Sequence, residues 1–94
     1  MSITRINQFQ AQAGKGLDLK ELLTSFIPAI KEAEGCEGCQ LLISHANPDR
    51  MVMLEVWSGT EAHLAATRNI ADKDIKKLMD LVASPPKGGF YTFT

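Results

Sequence analysis

The sequence lacks the long apolar run that a membrane-spanning helix requires. None of its hydrophobic stretches approaches roughly 18 residues, and residues 1–5 (MSITR) lack the pattern of a secretory signal peptide. Net charge is also nearly absent, because ten Lys and Arg oppose eleven Asp and Glu and the signs are interspersed. A nucleic-acid-binding surface would show a basic stripe instead. We therefore expect a cytoplasmic protein that binds neither membrane nor nucleic acid.

Cysteine is scarce as well, with two residues, too few for a disulfide framework. Cys36 and Cys39 form a C-x-x-C motif, but this motif follows a predicted helix C-terminus, whereas a redox thiolate needs a helix N-terminus. A structural zinc site needs four ligands, and only His45, at the predicted end of the second strand, and His63 could complete it. We expect two incidental thiols at a loop-to-strand junction and no bound metal.

What is present is the pattern of a single small domain over residues 1–94. Alternating apolar and polar residues predict strands at 3–11, 39–46, 51–57 and 90–93. Apolar residues at spacings of three and four predict one long helix with a stripe from Leu19 to Ala33, a short helix ending near Arg68 and a last helix from near Asp72. The β-α-β-β-α-β order predicts an α+β ferredoxin-like fold, an antiparallel sheet with helices on one face.

Local signals suggest where these elements begin and end. Asp18 with Glu21, and Ser58 with Glu61, resemble capping boxes that would open the first two helices. Gly35 stands where a left-handed residue would close the first helix. Pro28 lies inside that helix without interrupting its stripe. Residues 47–50 (NPDR) predict the turn of a hairpin, and residues 88–89 (GG) predict a turn before the last strand.

The third strand is apolar on both of its faces. Val52, Leu54 and Val56 alternate with Met51, Met53 and Trp57, whereas a sheet with one wet face should alternate with polar residues. Helices can cover only one face, and a domain of this size buries only about two-thirds of its surface. We therefore expect a homodimer that forms through the sheet faces.

The first strand places polar residues on a mainly apolar face. By alternation, Arg5 and Asn7 share one face of this strand with Ile3, Phe9 and Ala11. Burying an amide without a partner costs roughly 1–3 kcal/mol, so Asn7 calls for a reason. A backbone hydrogen bond, or a register that turns this face to solvent, would be the ordinary reason. A role in binding a ligand is the alternative.

Other candidates carry similar alternatives. Trp57 is either a core tryptophan or the wall of an aromatic pocket with an N–H donor. Glu55, on the same face, is either a general base or the ion-pair partner of Arg5, which we favour. His63 is either a surface residue or a catalytic one. Met53 and Met79 are expected at core positions, where methionine adapts to varied ligands.

Several short motifs, taken in order, resemble the antibiotic biosynthesis monooxygenase (ABM) family. Residues 35–41 (GCEGCQL) resemble its entry into the second strand, and residues 54–62 (LEVWSGTEA) resemble its E-x-W-x-x-x-E-A signature. Asn7 ahead of residues 14–16 (GKG), and residues 89–91 (GFY) near the end, fit the two ends of the family pattern. The likeness covers nearly the whole chain, and its specificity comes from order and spacing.

The resemblance implies a dimeric α+β barrel with an apolar pocket between sheet and helices. Members of this family include monooxygenases that oxidise anthrone- or quinol-like aromatics with O₂ and without metal or flavin. By this likeness Asn7 would donate to an oxyanion, and Trp57 would form a ring wall and a hydrogen-bond donor. The substrate-binding residues are expected to be Arg5, Phe9, Met53, Glu55 and Met79.

The sequence departs from the family pattern at one position. Many members carry a histidine, or a tryptophan in the haem-degrading branch, nine positions after the signature tryptophan, where this chain has Ala66. The haem branch also has a histidine where Lys76 stands here, which argues against haem degradation. His63 lies one helical turn before Ala66 and is the candidate substitute.

Three functions fit these observations. The first is a cofactor-independent monooxygenase that acts on an aromatic, quinol- or anthrone-like small molecule. The second is an isomerase or lyase for a small carbonyl compound, with Glu55 or His63 as the proton shuttle. The third is a non-catalytic ligand-binding dimer, since fold does not settle function.

Overall fold

A computed structural model describes residues 2–94 of the chain. The elements, in chain order, are β1 (Ile3–Gln10), α1 (Gly16–Glu32), β2 (Cys36–Ile43), β3 (Arg50–Trp57), α2 (Thr60–Thr67), α3 (Asp72–Leu81) and β4 (Lys87–Tyr91). This order confirms the predicted α+β ferredoxin-like architecture. Within the described part of the chain, none of the helices has both the length and the apolar composition that a membrane crossing requires.

The four strands form one antiparallel sheet in the order β2-β3-β1-β4. The two central strands, β1 and β3, carry most of the candidate site residues. Their register places Arg5 opposite Glu55 and Phe9 opposite Met51. Because directly opposed residues share a face, the predicted alternation of β1 and β3 is confirmed. The face that includes these four residues is covered by helices and is called the covered face below.

The apolar stripe of α1 fills the middle of the covered face. Leu19 and Leu23 are 0% and 2% exposed and pack in one cluster with Phe9, Met51 and Met53. The full set of buried residues in this core is Phe9, Ala11, Leu19, Leu23, Cys39, Met51, Met53 and Val82. Met79, which was expected in the core, is instead 44% exposed on α3. That expectation was wrong because the stripe of α3 buries only part of its width.

Both predicted capping boxes are absent. Helix α1 begins two residues before Asp18, after Lys15, because the backbone N–H of Leu19 already bonds to the Lys15 carbonyl at 2.9 Å. Helix α2 begins after Gly59 and has no side-chain cap. Ser58 cannot serve there in the expected way, because its own N–H is bonded to the Gly35 carbonyl at 2.8 Å.

Gly35 has the left-handed conformation that was predicted, with φ of 85°. A second reason for glycine emerges from packing. A Cβ at this position would lie 2.5 Å from the Cβ of Ala62 and 2.8 Å from Ser58 Oγ. The link between α1 and β2 therefore packs directly against the start of α2. Pro28 remains inside α1, as expected.

Strand β2 is shifted by three residues from the prediction. It starts at Cys36 and ends at Ile43, because Cys36 pairs with Trp57 and Ile43 with Met51. Both cysteines are thus strand residues, separated by a bulge, rather than part of a loop junction. His45 lies beyond the strand, exposed in the connection to β3.

The hairpin turn between β2 and β3 is formed as predicted. The Arg50 N–H bonds to the Asn47 carbonyl at 2.9 Å, and the Asp49 N–H bonds to Asn47 Oδ1 at 3.1 Å. Asn47 thus supplies both its backbone and its side chain to the turn, as asparagine commonly does.

Strand β4 begins earlier than predicted, at Lys87, and ends at Tyr91. Gly88 and Gly89 therefore do not form a turn but pair with Asn7 and Ile6 of β1. Phe93, expected in the strand, lies after it and is 86% exposed. The pairing of β4 with β1 decides these bounds, and pairing between distant segments leaves no local pattern in the sequence.

The side of the sheet opposite the covered face is called the open face below. By register it includes a set of apolar side chains: Ile6, Leu42, Val52, Leu54, Val56 and Tyr91. Leu42 and Tyr91 are about half exposed, at 48% and 52%. This two-sided apolar character of the sheet is the pattern predicted from β3.

Candidate active site

At the Trp57 end of β3, the covered face changes from apolar to polar. Trp57 is 1% exposed, and its indole N–H donates to Glu55 Oε1 at 2.9 Å. The two residues stand two positions apart on one strand, so their side chains share a face. The tryptophan N–H, expected to be available to a ligand, is therefore already used inside the protein.

Glu55 is a buried carboxyl, 8% exposed. Burial raises its pKa above the ordinary value, while the Trp57 hydrogen bond and the positive charge of Arg5 act in the opposite direction. Arg5 lies opposite Glu55 in the ladder, but the hydrogen bond to the Glu55 carboxyl comes from Trp57, and Nε of Arg5 is buried without a partner. The hydrogen-bond partner of this carboxyl is thus Trp57 rather than the expected Arg5.

Arg5 turns toward β4 instead. Its Cζ lies 4.9 Å from the centre of the Phe90 ring, a cation–π distance. A Cβ at Gly88 would overlap the guanidinium, so the glycine leaves the space that the side chain occupies. Arg5 is half-buried, and its Nε is fully buried without a hydrogen-bond partner.

His63, on α2, lies between two aromatic rings. Its ring centre is 5.6 Å from that of Trp57 and 5.2 Å from that of Phe90, and both contacts are edge-to-face at 78° and 82°. Its Nδ1 is buried without a partner. Burial lowers the pKa of this imidazole, and the charge on Arg5 lowers it further, so both effects favour the neutral ring.

These five residues form one group, which we call the polar cluster: Arg5, Glu55, Trp57, His63 and Phe90. Sequence reasoning had selected the first four and missed Phe90, together with Gly88. Their place depends on the register of β4 against β1, in which Phe90 faces Arg5. The one available signal was the family-like GFY segment at residues 89–91.

Asn7 links the polar cluster to the core. It lies on the covered face, two residues from Arg5, opposite Met53 on one side and Gly88 on the other, and it is half-buried. Phe9 and Met53, both expected to contact substrate, are 4% and 2% exposed and belong to the core cluster. Met79 lies on the surface of α3, 44% exposed.

The cysteines lie beside a different feature, an open cavity of about 520 Å³ at the edge of β2. Burial raises the pKa of Cys36, and it raises that of Cys39 to about 12. Both are free thiols, and protonated thiols are poor nucleophiles. Cys39 is also a core residue, with its Sγ 3.5 Å from Met53 Sδ.

A second groove, of about 460 Å³, lies between α1 and α3. It is lined by Asp18, Glu21, Leu22, Lys77, Asp80 and Leu81. Over residues 2–94, no three His, Cys, Asp or Glu side chains are grouped so that they could hold a metal ion. The chemically distinctive groups of the chain are therefore those of the polar cluster with the adjacent Asn7.

The fold and this cluster can be compared with known proteins. No curated protein matches the sequence. Among solved structures, a provisionally assigned antibiotic biosynthesis monooxygenase of Bordetella bronchiseptica superimposes with a TM-score of 0.84 at 24% identity, covering 99% of this chain and 97% of that one. A second provisional member, from Nitrosomonas europaea, gives 0.87 at 21%, covering 99% and 98%.

SnoaB of Streptomyces nogalater, a cofactor-independent oxygenase, gives a TM-score of 0.85 at 17% identity and covers 99% of this chain and 93% of that one. At such identities the likeness establishes the fold. The family model for antibiotic biosynthesis monooxygenases matches residues 2–77. With most of its length matched in this way, the chain belongs to the antibiotic biosynthesis monooxygenase family.

Proposed function

We propose that this protein is a cofactor-independent monooxygenase that oxidises an aromatic, quinol- or anthrone-like small molecule with O₂. The observation that carries the proposal is the placement of His63, held edge-to-face between Trp57 and Phe90 on the covered face of an ABM fold. A neutral imidazole among aromatic rings suits the removal of a proton from a flat, weakly acidic substrate.

The chemistry balances without a cofactor because the substrate supplies the electrons. After a proton is removed, the carbanion reduces O₂ directly. In an anthrone the CH₂ group becomes a carbonyl, one oxygen atom is inserted, and the other leaves as water with the two hydrogens. The likeness to SnoaB supports this independence from cofactors.

The roles of individual residues follow from their places. Asn7, half-buried beside the polar cluster, is proposed to donate its amide N–H to the oxyanion that develops on the substrate. His63 accepts the proton. Trp57 supports the imidazole as a ring wall and, through its N–H, holds Glu55 in place. Phe9 and Met53, neighbours of Asn7 on the covered face, would form the apolar side of the site.

The test is oxygen uptake by metal-stripped protein with a panel of anthrones and dihydroxynaphthalenes, measured against the autoxidation blank. We expect uptake above the blank and a loss in kcat of ten-fold or more for Asn7→Ala, since one oxyanion donor is commonly worth about 2.7–4 kcal/mol. Asn69→Ala, which removes an exposed amide of the α2–α3 connection, is the matched control. An unchanged rate in Asn7→Ala would remove this residue from the mechanism.

One observation favours a second function on the same fold. A buried carboxyl with a raised pKa, as in Glu55, can shuttle a proton in an isomerase or lyase that acts on a small carbonyl compound. Such turnover would continue under argon and stop in Glu55→Gln. A protein that binds ligand but turns over no compound in air or under argon would be the non-catalytic dimer.

We also infer that two copies of the chain associate through their open faces. The apolar side chains of this face, among them Leu54 and the half-exposed Leu42, would be buried in such a dimer. A dimeric mass in sedimentation at micromolar concentration is expected. A monomeric mass there would contradict the inference.

A further inference from the structure

The guanidinium of Arg5 is short of hydrogen-bond partners. It offers five N–H donors, and one of them, on Nε, is buried without a hydrogen-bond partner. Arg5 is half-buried, and its Nε is sealed from solvent. A cation in such surroundings is costly unless an acceptor or an anion compensates it. Burial raises the pKa of the neighbouring Glu55 carboxyl and the positive charge of Arg5 acts to lower it, but this carboxyl accepts its hydrogen bond from Trp57, and Nε of Arg5 stays without a partner.

The fold nevertheless holds the guanidinium in one place. Phe90 lies beneath it at 4.9 Å, and Gly88 leaves the room that any side chain would fill. Both come from β4, paired with β1. Because the ladder positions these two residues, the direction of Arg5 is built into the sheet rather than left to a mobile side chain.

His63 contacts the same aromatic ring. Its ring centre is 5.2 Å from that of Phe90, and its Nδ1 is also buried without a partner. The positive charge of Arg5 disfavours a second charge on this imidazole. An anion beside the two groups would relieve both the unpaired cation and the obstacle to protonating His63.

We propose that Arg5 binds an anionic oxygen on the aromatic substrate, so that the site selects ring compounds carrying a phenolate, enolate or carboxylate. The inference rests on the proposed function, for which it names the acidic substrate class. For a phenol, the O–H bond breaks, its electron pair stays on the oxygen facing Arg5, and the proton forms a new N–H bond on the neutral imidazole of His63. No oxidant takes part in this step.

The test compares two ligands of the same shape and different charge, naphthalene-2-carboxylate and naphthalene-2-carboxamide, neither of which reacts with O₂. By calorimetry we expect the carboxylate to bind at least ten-fold more tightly than the carboxamide. Arg5→Gln should remove this preference by weakening the carboxylate alone. Gly88→Ala should reduce it without changing the net charge, because the new Cβ displaces the guanidinium.

Arg68→Gln is the matched control, since it removes one positive charge from an exposed site and should leave the preference intact. Circular dichroism verifies folding, and Gly88→Ala serves as the test if Arg5→Gln does not fold. Equal binding of the two ligands, no binding of the carboxylate at millimolar concentration, or a preference that survives in both variants would each overturn the inference. A charge preference without oxygen uptake would overturn the monooxygenase proposal alone, and uptake without a charge preference would overturn this inference alone.

Discussion

At one end of the covered face, Phe9 and Met51 pack against Leu19 and Leu23, and each of these side chains is at most 4% exposed. At the other end, the same two strands present Arg5 opposite Glu55. Only a few residues separate the two ends along each strand. The contrast teaches that burial alone does not define the core here, because Glu55 and Trp57 are nearly as buried as the apolar residues.

The two ends make opposite contributions to stability. The apolar end gains free energy from each side chain removed from water. The polar end holds buried nitrogen atoms of Arg5 and His63 without partners, and each such group costs free energy in the folded state. The folded state tolerates the cost of the unpartnered polar atoms because the burial of apolar side chains at the other end stabilises it. Each unpartnered buried polar group calls for an explanation, and a role in binding or catalysis is one such explanation.

The apolar end should show the largest effect of a single substitution. Leu19→Ala is expected to lower the free energy of unfolding by about 2–5 kcal/mol, because it removes a fully buried side chain and leaves a cavity. The whole free energy of unfolding of a native protein is about 5–15 kcal/mol, so this one substitution would remove much of the stability. Urea unfolding at a fixed protein concentration measures the change.

Leu17→Ala is the matched control for that experiment. Leu17 occupies the same first turns of α1 but is 66% exposed. A change within about 0.5 kcal/mol is expected there, as for most surface substitutions. Equal losses in the two variants would contradict the assignment of the core.

The polar end should respond in the opposite direction. Glu55→Gln keeps an oxygen that can accept the Trp57 N–H and removes a buried carboxylate. We therefore expect the free energy of unfolding at pH 7 to rise by about 0.5–2 kcal/mol, the usual range for one stabilising substitution. The groups facing Glu55 are Arg5 on β1, Trp57 on β3 and the protonated Cys39 on β2. Urea unfolding at several pH values measures the effect.

The stabilisation expected from Glu55→Gln should depend on pH. Because the pKa of Glu55 is raised in the folded state, its contribution is fully present below the ordinary value of 4.5 and is lost as the pH rises through the folded value. The gain from Glu55→Gln should therefore vanish below about pH 4.5. Glu34→Gln, at an exposed position, should show no such gain. A loss of stability at pH 7 in Glu55→Gln would mean that the attraction of Arg5 outweighs burial.

Periodicity predicted the elements because it reflects which face each residue buries. The alternation of β1 and β3 placed Arg5, Glu55 and Trp57 on one face, and the structure agrees. Register was not predictable in the same way, since it depends on pairing between distant segments. For that reason the bounds of β2 and β4 were displaced, and the position of Phe90 beneath Arg5 was missed.

Side-chain partners were harder still to predict. The ladder does bring Arg5 opposite Glu55, as an ion pair would require. Yet the carboxylate accepts from Trp57 on its own strand, and the guanidinium occupies the space over Gly88. Sequence patterns identify which residues are neighbours. The choice among several possible hydrogen-bond partners depends on distances and angles that no sequence pattern encodes.

The close contact at Gly35 determines which substitutions can move helix α2. Helix α2, which carries His63, rests through Ala62 against a residue without a side chain, and Ser58 is bonded to the same residue. The close packing of Ala62 against Gly35, 28 positions before His63 in the chain, thus fixes the distance between the imidazole and the sheet. Substitutions at solvent-facing residues of α2, such as Glu61 and Ala65, should leave the histidine in place, whereas any side chain at Gly35 would push the helix away from Trp57.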